Sequence, residues 1–229
     1  MESPLRSNTR SILAPDGTLV ISRPRSLTSV DRARPTCYKC LRPSSHCVCN
    51  LIEPFQAHCN LLIIQHPHER RKYHSTTKLV LKAIQNSTRL RGIEFEPNDI
   101  LGMIGERKPY LLYPSKGAID CQDVSLDSND TVIVVDGTWD EAQKIVYRNP
   151  ILKTFPSLSF SQALRSNYRI RKQPRANYLS TLESVAYLLK FNASAQGNIE
   201  ATIKYDSLLA GFDAMVEQQL QHKLLTNAA

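Results

Sequence analysis

The run Thr131-Val132-Ile133-Val134-Val135 constrains this chain more than any other segment. It is β-branched throughout and nearly unbroken in apolarity, as a central parallel strand covered on both faces must be. Asp136 ends it, Gly137 permits a tight turn, and Thr138 with Glu141 three residues on makes a capping box. The helix that follows runs toward Tyr147 and stops before Pro150. Cys59-Asn60-Leu61-Leu62-Ile63-Ile64-Gln65 is a second apolar run of strand length, closed by His66-Pro67-His68-Glu69. Beyond it, Ser75 is placed to cap a helix carrying Leu79, Val80, Ala83 and Ile84. Ile100 to Ile104, Tyr110 to Tyr113 and Leu158 to Phe160 read as further short strands. Ser180 with Glu183 forms a second capping box, and an amphipathic helix is expected over Tyr205 to Leu225. Strands alternating with helices give the expected fold class, α/β with a mainly parallel sheet.

The 229 residues, 41% of them hydrophobic, suffice for one main domain plus a small appendage without help from disulfides. Residues 1–36 read as a flexible basic arm, since Pro4, Pro15, Pro24 and Pro35 interrupt a polar stretch and only Leu19 to Ser22 offers a short strand. Residues 37–50 hold a cysteine cluster, and residues 51–229 form the main domain. No apolar run is long enough to span a bilayer, and the start lacks the apolar centre of a secretory signal. The expected location is therefore the cytoplasm, or the nucleus in a eukaryotic cell. With 29 Lys and Arg against 21 Asp and Glu, the net charge of +8 suits a polyanionic partner, although basic composition alone leaves nucleic-acid binding open.

Cys37-x2-Cys40-x6-Cys47-x-Cys49 places four thiols close enough for a closed tetrahedral zinc site with no open position for catalysis. In a reducing compartment such a grouping is expected to be a metal site rather than a pair of disulfides. The one-residue gap between Cys47 and Cys49 is tight, which leaves His46 as an alternative ligand. Cys59 and Cys121 stand apart and read as core residues.

Asp136 occupies the place where open α/β sheets bind ligands, the carboxyl end of a central strand, but a strand-end aspartate also often caps a helix. Trp139, the one tryptophan, suits either a core anchor or a stacking platform. Arg165, Arg169, Arg171, Lys172 and Arg175 make a basic loop, either a solvated face or an RNA contact, with Tyr168 and Tyr178 interleaved. His66, His68 and His74 offer a second metal site only weakly, and Pro67 favours a role in shaping the loop.

Taken in order, the cysteine cluster, Gln65-His66-Pro67-x-Glu69, Leu112-Tyr113-Pro114, Asp136-x-Thr138-Trp139, Pro174-Arg175 and Ser180-Thr181-x-Glu183 resemble the DTW-domain family of tRNA-uridine aminocarboxypropyltransferases. The resemblance covers about residues 37 to 190, and its specificity lies in the ordered set. It departs from the family pattern at Arg70 to Lys78, where Ser75-Thr76-Thr77 follows a strongly basic stretch. The resemblance implies a SPOUT-like catalytic domain with a knotted carboxyl-terminal half, preceded by a zinc knuckle on Cys37, Cys40, Cys47 and Cys49. It further implies transfer of the 3-amino-3-carboxypropyl group from S-adenosylmethionine to N3 of a uridine in a tRNA loop, releasing methylthioadenosine. Asp136 is the candidate general base. Leu112, Tyr113, Pro114, Gly137, Thr138, Trp139, Arg175, Ser180, Thr181 and Glu183 are the candidate cofactor contacts, and Arg165, Arg169, Arg171 and Lys172 the candidate RNA contacts. The competing readings are a SPOUT-type RNA methyltransferase and a zinc-knuckle RNA-binding protein without catalysis.

Overall fold

The structure, a computed structural model, describes residues 10–13, 19–22, 35–38, 40, 42–72, 75–162, 164–170 and 178–227. The chain divides into two compact units, Met1–Arg34 and Pro35–Ala229. In the first, β1 (Arg10–Leu13) pairs antiparallel with β2 (Leu19–Ser22), and the rest of the expected arm up to residue 34 lies outside the described residues.

The second unit is built on a parallel six-stranded sheet in the order β4-β3-β7-β5-β8-β6. The strands are β3 (Asn60–Gln65), β4 (Ser87–Arg91), β5 (Lys108–Leu112), β6 (Ile119–Asp120), β7 (Asp130–Asp136) and β8 (Ser157–Ser159). The β-branched run forms β7, which pairs with β3 on one side and β5 on the other. Among the described residues five α-helices accompany the sheet: α1 (Thr77–Ala83), α2 (Pro97–Ile104), α3 (Trp139–Arg148), α4 (Thr181–Ala195) and α5 (Ile199–Asn227).

Side chains alternate across a strand, so each strand feeds two cores. Leu61, Ile63, Val132 and Val134 pack with residues of α1, α4 and α5, including Val80, Val185 and Phe212. Leu62, Ile64 and Ile133 pack with Ile100 and Ile104 of α2 and Ile145 of α3. The result is three layers, helix on sheet on helix, which is why β7 carries no polar residue between Thr131 and Asp136.

Ile100 to Ile104, expected as a strand, lie in α2. Pro97 occupies the first turn, where its missing N–H costs nothing, and Glu96 with Asp99 closes a capping box. Ile100 and Ile104 then fall one turn apart on the buried face, while Leu101 and Gly102 are exposed. The expected cap at Ser75 is also displaced, because Thr76 precedes α1 and offers no side-chain cap to it. The strand β4, Ser87-Thr88-Arg89-Leu90-Arg91, has no apolar alternation because it is an edge strand with β3 as its one neighbour. The last helix starts at Ile199, six residues before the expected Tyr205. At Gly211 a Cβ would lie 2.3 Å from the Leu51 carbonyl oxygen, so α5 packs directly onto the segment that follows the cysteines.

Candidate active site

Asp136 is 5% exposed and ends β7 on the face covered by α4. Its Oδ2 accepts from Gln65 Nε2 at 2.8 Å and its Oδ1 from Thr181 Oγ1 at 2.5 Å. Its carbonyl accepts from the His66 amide at 2.8 Å. Two strand ends and one helix start thus fix the plane of a single carboxylate. Its side chain does not cap α3, because Thr138 does. The Thr138 hydroxyl accepts from Glu141 N and Glu141 Oε2 accepts from Thr138 N at 2.7 Å, closing the capping box expected from the sequence. Gly137 is required by crowding rather than by a special backbone angle, since a Cβ there would lie 2.9 Å from Glu141 Cβ.

Asp136 lies in the wall of a cavity of about 460 Å³. The same cavity gathers Leu112, Tyr113 and Pro114 from the end of β5, Gly137, Thr138 and Trp139 from the turn after β7, and Ser180 and Thr181 from the start of α4. These segments are far apart in sequence, yet each is the carboxyl end of a strand or the amino end of a helix, which a parallel sheet directs to one edge. Trp139 is 42% exposed, so the core-anchor reading fails. Its indole stacks on Tyr113 at 5.8 Å with planes 6° apart and meets Tyr178 at 5.5 Å on a tilt of 31°. The Tyr113 phenol is pushed up by its partial burial. Tyr168 is buried and also reaches the cavity wall.

Glu183, a candidate contact, is absent from the described lining. It is buried and accepts from Ser180 N at 2.7 Å, Ser166 Oγ at 2.8 Å and Asn167 N at 2.6 Å, tying the start of α4 to the loop that carries Tyr168. The sequence reading missed Thr76, whose hydroxyl accepts from Leu182 N at 3.3 Å and joins the starts of α1 and α4 at the cavity. The doublet Thr76-Thr77 ahead of an apolar helix was the available signal, but a neighbouring Ser75 with equal capping chemistry concealed it.

His66 and His68 both approach Glu141 Oε1, at 3.3 Å and 3.0 Å through Nδ1. Burial pushes the His66 imidazole below its ordinary value, against the pull of Glu141, so it is neutral at neutral pH. For Glu141 burial is the largest influence and acts upward, but hydrogen bonds from Thr138 and His68 together outweigh it and leave the carboxyl below its usual range. The cluster therefore braces the turn through Thr138. His74, the third histidine of the sequence reading, lies outside the described residues.

Of the basic loop, Arg165 is exposed and Arg169 pairs with Glu217 of α5 at 2.8 Å. Arg171, Lys172 and Arg175 lie outside the described residues.

The sulfurs of Cys37, Cys40, Cys47 and Cys49 all lie within 4.8 Å of one another, with Cys37 to Cys49 at 3.8 Å and Cys40 to Cys47 at 3.9 Å. Four ligands at a zinc–sulfur bond length of ~2.3 Å in a tetrahedron are separated by ~3.8 Å, so the donor set fits that ion. His46 is outside the cluster, with its Nδ1 2.8 Å from Ser45 Oγ and its ring against His222 of α5. Cys59 and Cys121 are fully buried, where burial pushes both thiols up to about 12.

Fold and site together define an α/β protein with a ligand cavity at the carboxyl edge of a parallel sheet. A family model described as the DTW domain matches residues 34–220, and the chain belongs to that family. Its relatives include "tRNA-uridine aminocarboxypropyltransferase 2" of Macaca fascicularis, 30% identical over 83% of this chain and 65% of the relative. The protein of the same name from Mus musculus is 31% identical over 82% of this chain and 65% of the relative. "tRNA-uridine aminocarboxypropyltransferase A" of Arabidopsis thaliana is 24% identical over 75% of this chain and 79% of the relative. The chain thus spans 65% of the length of the two mammalian relatives. No solved structure matches it.

Proposed function

We propose that this protein transfers the 3-amino-3-carboxypropyl group of S-adenosylmethionine to N3 of an unpaired tRNA uridine, releasing methylthioadenosine. The observation that carries the reading is Asp136, pinned by Gln65 and Thr181 in the wall of a cavity that also presents Trp139 and the start of α4. The names of the relatives supply the substrate class.

The residues present fit S-adenosylmethionine. The cavity falls within the roughly 300–1,000 Å³ of small-molecule sites, and it combines an apolar wall with an exposed aromatic ring and a helix amino terminus. When bound, that molecule supplies a methylene carbon attached to a sulfonium, which leaves as a neutral thioether. Leu112, Tyr113, Pro114 and Trp139 offer faces for an adenine or a uracil ring, and the start of α4 at Ser180 and Thr181 offers a seat for a carboxylate. Gly137 and Thr138 shape that seat, and Arg175, outside the described residues, is assigned as its cationic partner from the motif Pro174-Arg175.

Asp136 acts as general base. Gln65 and Thr181 each occupy one lone pair, on different oxygens, and each oxygen retains another for the N3 proton. Asp136 takes that proton as N3 bonds to the methylene carbon, and the electron pair of the broken carbon–sulfur bond stays on sulfur. Because N3 lies on the Watson–Crick edge, the uridine must be unpaired or turned out of its stack, which directs the reaction to a tRNA loop. Arg165, Arg169, Arg171 and Lys172 are assigned to the RNA backbone, with Arg169 exchanging Glu217 for phosphate.

The same proposal includes a SPOUT-like chain path in the carboxyl-terminal half, supported by the way α4 begins against the end of β7 and the start of α1. It includes a zinc knuckle as well, supported by the spacing of the four sulfurs. Incubation of the protein with bulk tRNA and S-adenosylmethionine tests it through the nucleoside by-product. Methylthioadenosine supports aminocarboxypropyl transfer, and S-adenosylhomocysteine replaces it with methyl transfer.

A further inference from the structure

At the β4 edge of the sheet, two strands from Asp136, the structure gathers cations that no motif called for. Arg91, Gln65 and Asp136 stand abreast in register at the ends of β4, β3 and β7. They are linked by hydrogen bonds, Arg91 Nε to Gln65 Oε1 at 3.3 Å and Gln65 Nε2 to Asp136 Oδ2 at 2.8 Å. Two inter-strand spacings put the Arg91 backbone about 10 Å from that of Asp136. Arg89 lies two residues before Arg91 on the same edge strand and so points to the same face. An open recess beside them is lined by Pro67, His68, Arg70 and Arg91.

Arg70, Arg89 and Arg91 are exposed, and neither they nor Lys78 has a carboxylate partner among the described residues. Glu69, the nearest acid in sequence, is buried and holds Lys72 at 2.6 Å. Burial, and then Arg42, Arg89 and Arg91, push the Lys78 ammonium below its ordinary value. Arg91 is lowered in the same way, by burial and then by Arg89 and Arg70. Arg42 adds a buried guanidinium whose Nη1 and Nη2 have no hydrogen-bond partner. Arg70, Lys78, Arg89 and Arg91 thus act on one another's charge with no carboxylate paired to them among the described residues, an arrangement that a polyanion relieves.

Building on the tRNA reading, we infer that Arg70, Lys78, Arg89 and Arg91 form a phosphate-binding furrow for the RNA strand flanking the target uridine, with its inner end at Asp136. The furrow adds to the phosphate contacts assigned to Arg165 and Arg169. Arg91 has a second consequence, because a phosphate on its guanidinium is one glutamine away from the proposed base.

The test uses the full-length, zinc-loaded protein and the double variant Arg70→Ala/Arg89→Ala, which leaves Arg91 and the Asp136 contacts in place. Binding of tRNA is measured against salt, and modification is measured at varied tRNA and varied S-adenosylmethionine. Each lost phosphate contact on single-stranded RNA removes about 0.7 from the slope of log K against log salt, so the double variant should lose about 1.4. The KM for tRNA should rise roughly tenfold, with kcat and the KM for S-adenosylmethionine unchanged. Arg70→Lys/Arg89→Lys should restore most of the binding. An unchanged slope and KM for tRNA, with a wild type that modifies tRNA, overturns the furrow alone. A fall in kcat at constant tRNA affinity also overturns it, by showing a structural role. A wild type that neither binds nor modifies tRNA sinks the functional reading and the furrow together.

Discussion

Replacing Glu183 by glutamine separates a structural carboxylate from a ligand contact. Glu183 is 1% exposed and its two oxygens accept three hydrogen bonds, from Ser180 N, Ser166 Oγ and Asn167 N. An amide keeps one oxygen, which is best left facing Ser180 and Ser166, and turns its NH2 toward the Asn167 N–H. One charge-assisted bond is lost and two donors face each other in a buried place. Those terms are about 1.5–3 and 1–3 kcal/mol, and partial relaxation of the loop brings the expected cost to about 3 kcal/mol. For a unit of this size, about 2–4 °C per kcal/mol gives a Tm roughly 6–12 °C lower. Calorimetric unfolding at pH 7 reads the shift, and titration with S-adenosylmethionine at a temperature where both proteins are folded reads any direct contact. A Tm within about 2 °C of the wild type, together with a large loss of affinity, would refute the reasoning and return Glu183 to the cavity.

Trp139→Ala should weaken S-adenosylmethionine or tRNA binding by about 1–3 kcal/mol, and Trp139→Phe by much less; unchanged affinity for both ligands would remove the stacking role. Metal analysis should find one zinc per chain, and Cys47→Ser should lower both zinc content and Tm, whereas zinc-free wild-type protein with the same Tm would contradict the knuckle. His58 is held by Tyr205 and Asn192, and burial pushes its imidazole down while Asn192 pulls the other way. A lowered folded value means the unfolded chain takes the proton first, so stability is complete above about pH 6.5 and is lost as pH falls through the folded value. Wild-type Tm should therefore drop from pH 7 to pH 5 more steeply than that of His58→Gln, and equal slopes would sink the assignment.

Legibility in the sequence followed burial. The strands β3 and β7 were readable because both faces are covered, which forces a continuous apolar run with no competing pattern. The capping boxes at Thr138 and Ser180 were readable because their hydrogen bonds are local. Ile100 to Ile104 misled because five residues cannot distinguish a strand from one buried helical stripe, and the deciding signal, Glu96-Pro97 with Asp99, lies before them. The edge strand β4 was silent, since its pairing to β3 is backbone chemistry and Leu90 is its one apolar side chain, packed against the core amid exposed Thr88, Arg89 and Arg91. At the site, the motif residues from β5, β7 and α4 line one cavity because strand ends and helix starts converge there. The carboxylate's own partners, Gln65 and Thr181, were separable from background only once register placed Gln65 beside Asp136. Glu183 shows the converse, a motif residue whose recurrent chemistry is satisfied by the fold itself.

The proposed role of the Asp136 carboxylate is removal of the N3 proton of a tRNA uridine. The most direct measurement is nucleoside mass analysis of tRNA incubated with S-adenosylmethionine and either the wild type or Asp136→Asn, with affinity for both ligands measured in parallel. Aminocarboxypropyl-uridine should form with the wild type and almost none with Asp136→Asn, which should still bind S-adenosylmethionine and tRNA. Full conversion by Asp136→Asn would contradict it and leave Asp136 as a hinge between Gln65 and Thr181.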